Sequence, residues 1–225
     1  MSENVPGEAA GSEGRIIIVS GMPRSGTSMM MQMLEAAGLA IHSDGRRAAD
    51  IDNPNGYLEL EATKRLKTDA AFLAQACGRV VKVVAPLLPH LPVRYEYRVI
   101  FMERAIEEVL ASQSAMLARL GRGSESDGGS VAESLSTQLV EAFRQVSKNV
   151  KAWLDGSGNV MTCFVEHRSV LASPLEASRE TLRFLHESEG REGDFGLAGD
   201  SSMDREEMAL RMAAVVDPAL YRQRL

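Results

Sequence analysis

One stretch near the start of the chain, Ile16 to Gly38, limits what the rest can fold into. Ile16, Ile17, Ile18 and Val19 form an unbroken β-branched run, as expected of a strand covered on both faces of a parallel sheet, and Gly21 ends it. From Thr27 the residues are good or tolerable helix formers until Gly38. Between strand and helix lies a loop of small residues, and a helix N-terminus presents unpaired N–H groups and the positive end of the helix dipole. Strand, small-residue loop and helix in that order describe a phosphate cradle. The hydroxyls of Ser25, Thr27 and Ser28 add donors, and Arg24 adds charge.

The spacing Gly21-x-x-x-x-Gly26-Thr27-Ser28 fits the P-loop pattern except at one position. Thr27 stands where a nucleotide triphosphatase needs a lysine for the β- and γ-phosphates. With the run Pro23-Arg24-Ser25-Gly26-Thr27-Ser28, the loop resembles the 5′-phosphosulfate loop of sulfotransferases, which use 3′-phosphoadenosine 5′-phosphosulfate. An ordinary strand-turn-helix junction is the plainer alternative.

Size and charge set the outer limits and remain compatible with a local basic pocket for one nucleotide. At 225 residues, with 44% hydrophobic and 25% charged residues, the chain is globular and sized for a single domain. A formal charge of −6 and the lack of a basic run argue against nucleic acid as partner. Cys77 and Cys163, the only cysteines, are too few for a disulfide framework and suit a reducing cytoplasm. Residues 1–14 read as a flexible tail and not as a signal peptide, no stretch is apolar enough to span a membrane, and residues 15–225 read as one α/β domain.

Further along, residues 40–55 read as a long loop ending in the turn Asn53-Pro54-Asn55-Gly56, a kind of loop that often carries function. A helix is expected over residues 62–76. Glu59 and Glu61 are the carboxylates best placed to face a site, or else solvated acids at a helix start. The second strand, residues 79–84, is apolar except for Lys82. A lysine there needs an anion or water, so Lys82 either enters the site or snorkels to solvent from an edge strand. Strands over residues 97–102 and 160–165 and helices over 105–120, 131–154 and from Pro174 complete a βα alternation. Leu135, Leu139, Phe143, Val146, Val150 and Trp153 form a stripe expected in the core. Gly and Ser crowd residues 121–130, a polar loop covers 190–202, and Arg222 and Arg224 read as surface charges.

Arg104 closes the third strand, and Ser112 follows about two helical turns on. In sulfotransferases that pairing binds the 3′-phosphate, and the resemblance extends from Arg15 to the end of the chain. It implies an α/β fold, a P-loop-type parallel β-sheet of about four to five strands with helices on both faces. It also implies that Arg24, Ser25, Gly26, Thr27 and Ser28 hold the 5′-phosphosulfate and that Arg104 and Ser112 hold the 3′-phosphate. Lys82 falls on the strand lysine that reaches the transferring sulfuryl group. Arg24, Lys82 and the helix N-terminus suffice for the leaving oxygen without a metal.

This sequence departs from the cytosolic branch at several places. Val84 stands where those members carry a histidine base, Met29 where they stack a tryptophan on adenine, and their late glycine-rich basic segment is missing. Other branches of the family use a glutamate from the region after the first helix, and on that resemblance Glu59 is the candidate base, with His90 second. The expected reaction is sulfuryl transfer from 3′-phosphoadenosine 5′-phosphosulfate to a hydroxyl or amine of a small-molecule acceptor. The alternatives are a non-catalytic binder of adenosine 3′,5′-bisphosphate and a P-loop kinase or NTPase with Glu103 as its magnesium acid.

Overall fold

The computed structural model describes residues 14–50, 53, 56–119, 129–186 and 204–220. The tail over residues 1–13, the connection over 121–128, the loop over 190–202, and Arg222 and Arg224 lie outside the described residues. The four strands among the described residues are β1 (Arg15–Gly21), β2 (Val80–Lys82), β3 (Glu96–Glu103) and β4 (Val160–Glu166). They form one all-parallel sheet in the order β2-β1-β3-β4. The β-branched run of β1 is thus paired on both edges, and Ile16, Ile18 and Val19 are fully buried.

Six α-helices surround the sheet among the described residues: α1 (Thr27–Ala36), α2 (Ile106–Arg119), α3 (Gly129–Gly156), α4 (His167–Ala172), α5 (Pro174–His186) and α6 (Arg205–Ala214). Strand alternation sends Ile17, Val19, Ile100 and Met102 to one face, where they pack with Met30, Met31 and Met33 of α1, Leu182 and Leu185 of α5, and Met208 and Met212 of α6. Met30, Met31 and Met33 of α1 are core residues, while Met29 is partly buried and lines the cleft outside the carboxyl ends of the strands. Ile16, Ile18, Val81, Val99 and Phe101 face the other way, onto Phe72, Leu73, Leu88 and the α3 residues Val150 and Leu154. Both faces are therefore covered, as a parallel sheet requires. Among the described residues no helix is long and apolar enough to cross a membrane.

Three expectations change in detail. Residues 62–76 are not one helix but two 3-10 segments, Glu61–Arg65 and Ala71–Ala76. Between them Thr68 Oγ1 donates to the Arg65 carbonyl and the Asp69 carboxylate accepts from the Ala71 N–H, so polar side chains take up the backbone groups a helix would use. Among the described residues of the α3 stripe, Val150 is buried and Val146 and Trp153 pack against the core, whereas Leu139 is 46% exposed. A short α4 begins directly after β4, earlier than the helix expected at Pro174.

Candidate functional site

A cleft of about 390 Å³ opens outside the carboxyl ends of the strands. Its lining includes Gly21 from the end of β1, Lys82 from the end of β2, Arg104 just past β3 and His167 just past β4. The chain passes from β1 to β2 on one side and returns to β3 on the other, so the cleft lies at the reversal of strand order where open α/β sheets bind ligands.

The loop between β1 and α1 is tightly wound. Gly21 has φ 152°, and a Cβ there would lie 2.3 Å from Ser25 Oγ and 2.7 Å from the Met102 carbonyl oxygen. The Ser25 N–H donates to the Met22 carbonyl at 3.1 Å, and Arg24 holds φ 69° within that turn. Such a conformation is uncommon for a residue with a side chain and persists only where neighbours over-determine it. Gly26, at φ 100°, caps α1, and a Cβ there would sit 2.5 Å from the His167 ring. Among the described residues no side chain caps the α1 N-terminus and no acid stands in its first turn, so its dipole faces the cleft without a carboxylate of its own.

Lys82 is 7% exposed although β2 is the sheet edge; its side chain turns into the cleft and not to bulk solvent. Its ammonium donates to Ser28 Oγ at 2.9 Å, to the Tyr57 carbonyl at 3.1 Å and to Glu59 Oε1 at 3.2 Å. Burial pushes the Lys82 ammonium below the ordinary lysine range, with the Glu59 carboxylate pulling the other way. Between Tyr57 and Glu59, Leu58 takes φ 48°, so successive residues deliver a carbonyl and a carboxylate to the same ammonium. Glu59 also accepts from Arg47 Nη1 at 3.1 and 3.2 Å through its two oxygens. The Arg47 guanidinium lies 3.3 Å over the Tyr57 ring, and the Tyr57 hydroxyl is 2.8 Å from both Asp50 oxygens.

Behind the loop runs a second polar group. Arg104 Nε donates to Glu108 Oε2 at 2.9 Å, and Arg104 Nη1 to the Arg24 carbonyl at 3.1 Å. Arg168 Nη2 reaches Glu108 Oε1 at 2.7 Å. Arg24 Nε donates to Ser112 Oγ at 2.9 Å, so the loop is held at its backbone by Arg104 and at its Arg24 side chain by α2. Burial, with the nearby Arg104 charge, lowers the His167 pKa to about 4, and Glu108 opposes the shift.

Of the residues singled out by sequence, Arg24, Gly26, Thr27, Ser28, Glu59, Lys82 and Arg104 line this one cleft. Ser25 and Ser112, each 1% exposed, are not among its lining residues. His90 is exposed and also outside the lining, and Glu103 ion-pairs with Lys151 of α3. Arg47 and His167 were not anticipated. Nothing in local spacing ties residue 47 to residue 59, whereas His167 had one available signal, its place at the carboxyl end of a parallel strand.

Chemically, the cleft offers a glycine-wound helix N-terminus, a buried lysine and an arginine on one side, and a carboxylate within reach of the lysine on the other. That arrangement suits an oxyanion beside a group that gives up a proton. No protein-family model, curated protein or solved structure matches the chain.

Proposed function

We propose that this protein transfers a sulfuryl group from 3′-phosphoadenosine 5′-phosphosulfate to a hydroxyl or amine of a small molecule. The observation that carries the reading is the approach of the Lys82 ammonium, from the neighbouring strand, to Ser28 in the first turn of α1. Thr27 supplies no cation at the loop's usual lysine position, and Lys82 brings one to the same helix N-terminus from β2.

The roles follow from charge. The loop amides, Thr27 and Ser28 bind the anionic 5′ end, while Arg24 and Lys82 stabilise the charge that builds on the bridging oxygen as the S–O bond breaks. Glu59, 3.2 Å from Lys82, takes the acceptor's proton as the new S–O or S–N bond forms. Arg104, which lines the cleft, serves the 3′-phosphate end, and Ser112, outside the lining, acts through its hydrogen bond with Arg24.

A second reading, a binder of adenosine 3′,5′-bisphosphate without turnover, is favoured by one observation: Glu59 is engaged by two cations, Lys82 and Arg47. The kinase reading has less support, because Glu103 is paired with Lys151 and does not line the cleft. Incubation with sulfur-labelled donor and a panel of alcohols, phenols and amines separates these readings. Labelled product supports transfer; tight bisphosphate binding with no product from any acceptor supports the binder; magnesium-dependent ATP turnover supports the kinase.

A further inference from the structure

Lys82 has a problem that the Glu59 contact alone does not solve. An ammonium that is 7% exposed needs an anion, and before any ligand arrives Glu59 provides it. A one-to-one pair would leave Lys82 with little charge to offer an incoming anion. Withdrawing Lys82 from Glu59 would also strand a carboxylate that is only 28% exposed. Arg47 changes that balance. Its Nη1 reaches both Glu59 oxygens, so two cations face one carboxylate and the group keeps a net positive charge.

Arg47 is also held where it is needed. Its guanidinium lies 3.3 Å over the face of Tyr57, a residue 4% exposed whose hydroxyl is fixed by Asp50. The left-handed Leu58 then sets Glu59 between Arg47 on one side and Lys82 on the other. Other charges near this cluster have partners of their own: Asp44 accepts from the Arg46 and Glu61 N–H groups, and Lys64 pairs with Glu61.

We infer that Arg47 is the counter-ion that lets Glu59 release Lys82, so that the Lys82 ammonium can exchange this carboxylate for an anion at the N-terminus of α1. Arg47 lines the same cleft, and the role assigned to it is that of a positioning residue acting through Glu59. This rests on the proposed function only in taking the cleft to bind an anion.

The test is a calorimetric double-mutant cycle on the full chain, with adenosine 3′,5′-bisphosphate and, separately, inorganic sulfate as probes. Arg47→Ala is expected to weaken binding by on the order of tenfold, because Glu59 then competes for Lys82. Glu59→Gln is expected to bind at least as tightly as the wild type, and Arg47→Ala/Glu59→Gln to return to within about threefold of Glu59→Gln. A double variant as weak as Arg47→Ala would mean that Arg47 contacts the anion directly and would overturn the inference. Wild-type affinity in Arg47→Ala would overturn it as well. Should Arg47→Ala unfold, Arg47→Gln takes its place, and Glu59→Gln alone must still not weaken binding. If the wild type binds sulfate but not the bisphosphate, the nucleotide reading falls while the cycle on sulfate still decides the role of Arg47; if it binds neither, both fall.

Discussion

The ammonium of Lys82, carried on the edge strand, lies 2.9 Å from the hydroxyl of Ser28 in the first turn of α1. Residues far apart in sequence thus bring a cation to the end of a helix whose dipole already favours an anion. Replacing Lys82 by Met keeps most of the buried stem and removes only the charge. Turnover, followed as release of adenosine 3′,5′-bisphosphate from the donor, is expected to fall by on the order of a hundredfold or more, as for loss of a transition-state donor. Unchanged turnover would remove Lys82 from the mechanism.

Arg24 and Ser112 are bonded to each other, and their substitutions should differ in kind. Arg24→Ala removes a charge that lines the cleft and should lower kcat by about a hundredfold. Ser112→Ala deletes the acceptor for Arg24 Nε, so it should weaken nucleotide binding with a smaller effect on kcat. Steady-state kinetics beside calorimetry separates them. Equal losses of kcat would show that Ser112 acts at the chemical step.

Gly21 has no room for a methyl group. The φ of 152° is strained for any residue with a side chain, and a new Cβ would meet the Met102 carbonyl oxygen at 2.7 Å, a backbone atom on the adjoining strand that cannot swing away. Gly21→Ala is expected to destabilise the fold by about 2 kcal/mol or more, read as a lower urea midpoint. A midpoint equal to that of the wild type would mean that the loop adapts.

His167 gives the fold a dependence on acid. Its pKa in the folded chain is about 4, against 6.5 for an unburied histidine. Between those values the unfolded chain binds the proton and the folded chain does not, so stability rises with pH there. The contribution is fully present above about pH 6.5 and is lost as pH falls toward about 4, on the order of 3 kcal/mol in all. His167→Gln should flatten that part of the stability profile, measured by urea unfolding at a series of pH values. An unchanged slope would assign the acid sensitivity elsewhere.

Much of this architecture is legible in local sequence, because its signals are local. The apolar run of β1, the glycines of the loop and the helix formers after Thr27 each act over a few residues, and together they yield the strand, turn and helix observed. Lys82 stands out as a charge in an apolar run, and its burial bears out the need for a partner. The broken helix over residues 62–76 was harder to read, because Thr68 and Asp69 compete with the helix through side-chain bonds that composition does not announce. Arg47 was hidden for a different reason. Its contacts with Tyr57 and Glu59 depend on the path of a long loop and on the left-handed turn at Leu58, and no periodicity encodes either.

The most direct test of the central claim is calorimetric titration of the full chain with adenosine 3′,5′-bisphosphate, with magnesium-free and magnesium-containing ATP as the comparison. The proposed function predicts tight, metal-independent binding of the bisphosphate that is lost in Lys82→Met and Arg104→Ala. Binding of magnesium-ATP alone, with no affinity for the bisphosphate, would contradict it.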